Sequence, residues 1–383
     1  METLLKEGID GLKLDRSDWQ LVKFGDVAIQ QKQTVDRENT DLTRYVKGEH
    51  MHSEDIHLRE WGELQDEYLG PAFIRKFEEG DILYGSRRTY LRKVVIAPFD
   101  GITSNTTFVI KAKNKRIDKR LLPFIMLSEG FSQHSIRNSK GSVNPYVNWK
   151  DLAGYEFLLP PLDTQSELAA LFWCAERMNL EKINLLKEIT QAFDSHSKFF
   201  FKTQASRFLA LGECAEIIMG QSPSGTSYNK EGKGYPLING PTEFTDRYPI
   251  KVQWTDKPTK FCEKEDILLC VRGSTTGRMN ISNDEYCIGR GVAAIRGKGV
   301  FKTTFLEFAL RYNVTEIMRL ASGSTFPNID SKTLKSIPLP DVDDDVQDEI
   351  VQKLLALDTT RAELIEDMKV TNNFIKSLIG QVF

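Results

Sequence analysis

Long apolar runs are missing from this chain. Nowhere do about 18 uninterrupted apolar residues occur, which excludes a membrane-spanning helix of ordinary length. The opening stretch from Met1 to Trp19 is charged throughout and lacks the apolar centre of a secretion signal. Cysteine is scarce and unpaired: Cys174, Cys214, Cys262, Cys270 and Cys287 are odd in number and form no CxxC pair. Free thiols in a reducing cytoplasm are the expectation. Charge of one sign is not in excess, with 51 Lys and Arg against 54 Asp and Glu. Composition alone therefore does not point to a polyanionic partner.

Catalytic signatures are missing too. There is no GxxxxGK[ST] loop and no strand followed by GxGxxG, and Gly289, Gly291, Gly297 and Gly299 are wrongly spaced for either. No Asp/Asn-Pro-Pro-aromatic motif of an amino-methyltransferase occurs. Pro340-Asp341 is not followed by the Glu-x-Lys of a common nuclease metal site, and Glu231-Gly232-Lys233 has no acidic partner at that spacing. His50, His52 and His57, interleaved with Glu49, Glu54 and Asp55, read as a polar surface loop in preference to a metal site. No cofactor or metal site in this chain is expected.

What is present is a duplication. With 383 residues, 40% of them apolar, the chain is long enough for two or three domains with real cores. Gly141-Ser142-Val143-Asn144-Pro145 returns as Gly323-Ser324-Thr325-Phe326-Pro327, displaced by 182 residues. Leu159-Pro160 returns as Leu339-Pro340, Gln165 and Glu167 as Gln347 and Glu349, and Phe201 as Phe383. Upstream, Gly80-Asp81-Ile82-Leu83 parallels Glu265-Asp266-Ile267-Leu268. An ordered series spanning both halves means one unit used twice. Basic charge is duplicated as well: residues 71–150 hold 15 basic against 6 acidic side chains, and residues 247–336 hold 15 against 9.

Each copy has two parts. Short apolar runs punctuated by Gly, Pro, Asn and Asp predict a mostly β domain. Short helices interrupt it over 119–129 and 304–312. A long helix follows, because apolar residues recur in alternating steps of four and three. The first series includes Leu168, Phe172, Leu186, Ile189, Phe193 and His196. The second includes Ile350, Leu354, Leu357, Leu364, Met368, Ile375 and Leu378. Both series turn polar at the same place, Asn179 and Arg361. About 33 residues make a rod roughly 50 Å long, and its apolar stripe predicts that the two helices pair with each other. The fold class is therefore α+β: two tandem mostly-β domains joined by two long antiparallel coiled-coil helices with pseudo-twofold symmetry. The expected boundaries are 1–18, an N-terminal segment; 19–160, the first β-rich domain; 161–204, the central helix; 205–340, the second β-rich domain; and 341–383, the C-terminal helix.

A β-rich domain closed by a GS-x-x-P turn and an LPPL-x-x-Q-x-E lead into a heptad helix, all duplicated, resembles the specificity subunit of type I restriction-modification systems. The likeness covers residues 19–383, with acidic residues replacing the second half of LPPL in the second copy. It implies that each β-rich domain is a target recognition domain reading one half of a bipartite DNA site. It also implies that the helices form the spacer and the dock for two methyltransferase subunits, with restriction/translocase subunits as further partners. By the same likeness the chain is non-catalytic and carries no cofactor: S-adenosylmethionine belongs to the methyltransferase, ATP and Mg to the restriction subunit. Double-stranded DNA is the expected ligand and the cytoplasm the expected location, with no membrane partner. Base readout needs Arg, Lys, Asn and Ser/Thr on loops. In the first copy Arg87, Arg88, Tyr90, Arg92, Lys93, Ser139, Lys140 and Asn144 are the candidates. In the second they are Arg272, Ser274, Thr275, Thr276, Arg278 and Asn328. The alternatives are a coiled-coil scaffold without a DNA role, a fused or degenerate methyltransferase or nuclease, and the specificity subunit of another methyltransferase-based defence system.

Overall fold

The fold comes from a computed structural model that describes residues 14–36, 39–203, 207–321 and 327–383. Gly323, Ser324, Thr325 and Phe326 of the second turn motif lie outside the described residues, as does most of the 1–18 segment. The chain forms two compact units, one made of residues up to Ile183 together with Glu366–Phe383, the other of Asn184–Ile365. The division thus falls within the long helices, not at their ends. Each helix contributes one part to each unit.

The strands of the first unit are β1 (Gln20–Lys23), β2 (Ala28–Gln31), β3 (Arg44–Val46), β4 (Gly62–Glu63), β5 (Phe73–Phe77), β6 (Ile82–Gly85), β7 (Val94–Ile96), β8 (Gly101–Ser104), β9 (Thr107–Ala112) and β10 (Glu156–Leu159). They form sheets of order β2-β9-β6-β7 and β4-β3-β8-β5, while β1 pairs with β10 and closes the domain on itself. The second unit repeats the plan with β11 (Phe208–Ala210), β12 (Ala215–Met219), β13 (Tyr228–Asn229), β14 (Tyr235–Ile238), β15 (Trp254–Thr255), β16 (Phe261–Cys262), β17 (Ile267–Cys270), β18 (Met279–Ile281), β19 (Tyr286–Ile288), β20 (Val292–Gly297) and β21 (Pro338–Pro340). Its sheets run β12-β20-β17-β18 and β13-β15-β14-β19-β16, and β11 closes on β21. In both units the second sheet contains one parallel pair, β3 with β8 and β14 with β19.

The central strands explain the apolar runs in the sequence. Successive residues of a strand face opposite sides, and β17 sends Ile267 and Leu269 into one core and Leu268 and Cys270 into another. In β6, Ile82 and Tyr84 enter one core and Leu83 a second. Both faces are covered, so the run is continuous and not alternating. Before each strand the turn is held alike: Asp81 accepts from the Glu78 N–H at 2.8 Å and Asp266 from the Glu263 N–H at 2.8 Å. The aspartates face Lys111 and Arg296 respectively.

The short helical stretch expected over 119–129 is divided. A 3-10 turn at Lys119–Leu121 leads into a helix at Leu122–Leu127, and a separate helix runs over Glu129–Arg137. Ser128 makes the break, closing the first helix by donating to the Ile125 carbonyl and capping the second by accepting from the Phe131 N–H at 3.2 Å. The helix expected at 304–312 occupies Thr303–Tyr312.

The long helices span Leu162–Lys198 and Asp344–Val382. Within the first unit the pairing descends on one as it ascends on the other. Phe172 lies against Phe383, Asn179 donates to Asn372 at 2.9 Å, and Lys182 donates to Thr371 at 2.6 Å. Within the second, Arg361 sits over the Phe193 ring and Lys353 over Phe200. The helices are antiparallel in each unit.

Not all the stripe is a helix-helix seam. Leu168, Phe172, Ile375 and Leu378 belong to the same core as Trp19, Phe24 and Phe124, and Ile350 and Leu354 join Leu211 and Phe305. Ile189 is buried, whereas Leu186, Phe193, Leu357, Leu364 and Met368 are half-buried. His196 is exposed, and Ser197 takes the inward place. A 3.6-residue helix drifts out of a 3.5-residue frame over this length, and a π-helical turn at Phe199–Thr203 follows.

Candidate nucleic-acid interface

Two segments chosen separately from the sequence meet in space. The loop after β6 and the glycine turn near residue 141 are stitched by backbone bonds, Arg88 N–H to the Pro145 carbonyl at 2.6 Å and Val147 N–H to Ser86 at 3.0 Å, with Arg87 bridged to Tyr146. Lys140 and Tyr146 exchange two further bonds, and Gly141 supplies the positive φ (93°) that turns the chain between them. The second unit repeats the stitch. Gly273 N–H donates to the Pro327 carbonyl at 2.9 Å, Ile329 N–H donates to Val271 at 2.9 Å, and Arg272 bridges Asn328.

The loop conformation is also shared. Arg88 and Arg92 are left-handed with φ of 50°, and the corresponding positions 185 residues on are Gly273 and Gly277 with φ of 89° and 90°. Glycine adopts this region freely, whereas an arginine there is strained by roughly 1–2 kcal/mol. Arg92 is held by its surroundings: its guanidinium reaches Glu54 at 3.1 Å, Glu129 at 2.8 Å and the Leu127 carbonyl.

These contacts sort the candidates. Arg87, Arg88 and Tyr90 project into solvent, with Tyr90 53% exposed. Asn144 accepts from Arg88 Nε at 2.9 Å and shares that surface, as does Lys140, which lies 3.7 Å from Asp151. Ser139 spends its hydroxyl on the Ile136 carbonyl. Arg92 and Lys93 are turned inward and do not join the exposed cluster. Lys93 donates to the Gly48 carbonyl, and burial, then the charge of Arg88, lowers its pKa. In the second unit Arg272 and Ser274 are exposed and Thr275 is half-buried. Thr276 is buried and its hydroxyl lies within reach of the Gly273 and Pro327 carbonyls. Arg278, the counterpart of Lys93, donates to the Phe244 carbonyl at 3.0 Å. Arg278 is exposed, with its guanidinium donating to carbonyls of a neighbouring loop.

One group escaped the sequence reading. Ser222, Tyr228, Asn239, Arg272, Gly273, Arg290 and Gly291 line an open groove of about 540 Å³ in the second unit. Its signal in the sequence is Gly289-Arg290-Gly291, an arginine flanked by glycines. A cavity of about 360 Å³ in the first unit, lined by Glu54, Arg92, Glu129, Glu176 and Lys376 among others, carries both signs of charge and takes only Arg92 from the 87–93 loop.

The remaining reactive side chains are dispersed. Cys214, Cys262, Cys270 and Cys287 are buried free thiols and Cys174 is exposed. Burial pushes Cys214, Cys262 and Cys270 up to about 11, so these thiols are poor nucleophiles. His52 faces Glu60 and His57 faces Glu176, while the His50 ring packs on Tyr45. Among the described residues no cluster of His, Cys, Asp and Glu could hold a metal ion, and no helix is long and apolar enough to cross a membrane.

Two copies of one α+β unit, each presenting basic loops stitched in the same way and each sharing the same pair of long helices, have the plan of a tandem recognition protein. The type I restriction modification DNA specificity domain matches this chain twice, over residues 16–191 and 206–371, and the chain belongs to that family. It is 29% identical over 381 residues to a putative type I restriction enzyme MjaX specificity subunit from Methanocaldococcus jannaschii, covering 89% of this chain and 87% of the relative. A solved type I restriction-modification structure, from work on complex assembly and conformational transition, is 26% identical with a TM-score of 0.60 and covers 96% of both chains. The S subunit from M. genitalium shares the fold at 14% identity, with a TM-score of 0.67 over 97% of this chain and 98% of that one. The chain is a type I specificity subunit, the component that recognises the DNA target.

Proposed function

We propose that each unit reads one half of a bipartite duplex site and that the long helices dock two methyltransferase subunits. The chain then directs adenine methylation and, with restriction/translocase subunits, cleavage, contributing no catalytic group itself and acting in the cytoplasm. S-adenosylmethionine would be held by the methyltransferase, ATP and Mg by the restriction subunit. The observation that carries this reading is the duplicated loop stitch, which presents Arg87 in one unit and Arg272 in the other. Neither makes an ion pair among the described residues. Phosphate neutralisation by such side chains fixes register, and base-edge contacts from the same loops supply sequence.

The test is modularity. In cells expressing the chain with its methyltransferase, residues 20–158 are replaced by the equivalent domain of a relative, and methylated sites are sequenced. One half of the site changes and the other stays. A site in which both halves change together refutes the two-reader arrangement.

A further inference from the structure

The groove beside Arg272 contains a position that differs between the units in a chemically informative way. The ladder of β6 with β9 ends with Gly85 opposite Thr107, and that of β17 with β20 ends with Cys270 opposite Val292. Two residues further out, the same register places Arg87 opposite Asn105, and Arg272 opposite Arg290. The backbone keeps step to the residue just before, since Ser86 N–H donates to the Thr106 carbonyl and Val271 N–H to the Gly291 carbonyl. Directly opposed residues share a sheet face, and Arg272 and Arg290 line one groove. Asn105 and Arg290 are thus one scaffold position carrying two different side chains.

The turn that displays Arg290 is rigid. Its neighbours Gly289 and Gly291 pack against Asn239 so closely that a Cβ on either would run into it. The Arg290 N–H also donates to the Ser222 hydroxyl at 3.1 Å. Arg290 is the one side chain larger than hydrogen on that three-residue turn. It is exposed and makes no ion pair or side-chain hydrogen bond among the described residues. The solvent-exposed Asn105 is equally uncommitted, its backbone N–H tied to the Ala72 carbonyl at 2.8 Å. Most arginines among the described residues are spent on carboxylates or carbonyls. One left unspent on a clamped turn, beside a second unspent arginine, is positioned for an external acceptor.

We propose that Arg290 and Asn105 are specificity-determining residues, each reading a base in the major groove of its own half-site. This rests on the DNA-reading function proposed above. A guanidinium matches guanine O6 and N7 in a bidentate fork, and a carboxamide matches adenine N7 and N6. The pair therefore assigns guanine to the half-site read by the 184–365 unit and adenine to that read by the other, at equivalent positions.

The experiment is selection of bound duplexes from a randomised library by the full chain with its methyltransferase subunits, wild type against Arg290→Asn, Arg290→Lys and Asn105→Arg. Arg290→Asn should relax the guanine preference at one position of one half-site by roughly 10- to 100-fold, the range of one bidentate contact. The other half-site should be untouched. Arg290→Lys keeps the charge and loses the fork, so it retains affinity and loses the discrimination. Asn105→Arg should move one position of the other half-site toward guanine. Unchanged consensus sites in these variants overturn the proposal while leaving DNA recognition standing. So does an equal weakening on every duplex with a salt slope reduced by about 0.9, which marks a phosphate contact. A wild-type complex that enriches no sequence overturns the DNA-reading function and this proposal with it.

Discussion

Replacing Gln165 by leucine removes the polar clamp at the start of the first long helix with little change of volume. Gln165 is 1% exposed. Its Oε1 accepts from the Asp118 N–H at 2.7 Å, and its Nε2 donates to the Arg116 carbonyl at 3.0 Å and the Pro160 carbonyl at 2.8 Å. Leucine would leave one half-buried N–H and two carbonyls without this partner. An orphaned donor costs about 1–3 kcal/mol, and carbonyls tolerate the loss somewhat better. We expect a destabilisation of about 3 kcal/mol, a large share of the 5–15 kcal/mol typical of a domain. Gln347, the equivalent at the second helix, makes two longer bonds, accepting from Lys302 N–H at 3.1 Å and donating to the Val342 carbonyl at 3.1 Å. Gln347→Leu should therefore cost less, about 2 kcal/mol. Gln165→Glu sets a carboxylate oxygen against two carbonyls, so the introduced acid has a raised folded pKa. The deficit then shrinks as pH falls through that value, because the protonated form donates again. Urea unfolding gives the stabilities, and amide hydrogen exchange at Asp118 and Lys302 locates the change. A Gln165→Leu protein that keeps Asp118 protected, or a larger loss at Gln347, would refute the clamp.

Two further outcomes follow from buried contacts in the second unit. Glu307 is 2% exposed and pairs with Arg311 at 2.6 Å and Arg247 at 3.4 Å, both of which also reach Asp358. Glu307→Ala leaves the half-buried Arg247 and Arg311 to share Asp358 and should cost roughly 1.5–3 kcal/mol in urea unfolding, the range of a hydrogen bond to a charged group. Burial raises the Glu307 pKa, against the opposing charges of Arg311 and Arg247. The folded state thus keeps this proton to higher pH than the unfolded chain. Stability should decline as pH rises from the ordinary glutamate range through the raised value, and Glu307→Gln should remove that decline. Gly291→Ala would push a Cβ into the Asn239 carbonyl. It should blur the half-site read by the 184–365 unit in library selection while sparing the other, and equal loss at both would contradict a local effect.

The sequence by itself determined the duplication, the fold class and the long antiparallel helices. These rest on regularities local to the chain, a repeat at a fixed offset and an apolar period, that survive without knowledge of any contact. Gln165 and Gln347 were legible as a repeated motif, but only the tertiary structure made them clamps, since Asp118 and Lys302 lie more than 40 residues away. The candidate loops at 87–93 and 272–278 were found by composition, yet composition does not distinguish a spent arginine from a free one. Arg92 and Arg278 look like Arg87 and Arg272 in sequence; distant Glu54 and the Phe244 carbonyl decide that they hold the fold together. Arg290 went unread because its meaning depends on lying across a ladder from Arg272 and on a turn clamped by Asn239. His196 fell out of the stripe for a related reason: a helix obeys its own 3.6-residue repeat, and over ten turns the packing partner, not the heptad count, selects which side chain points inward.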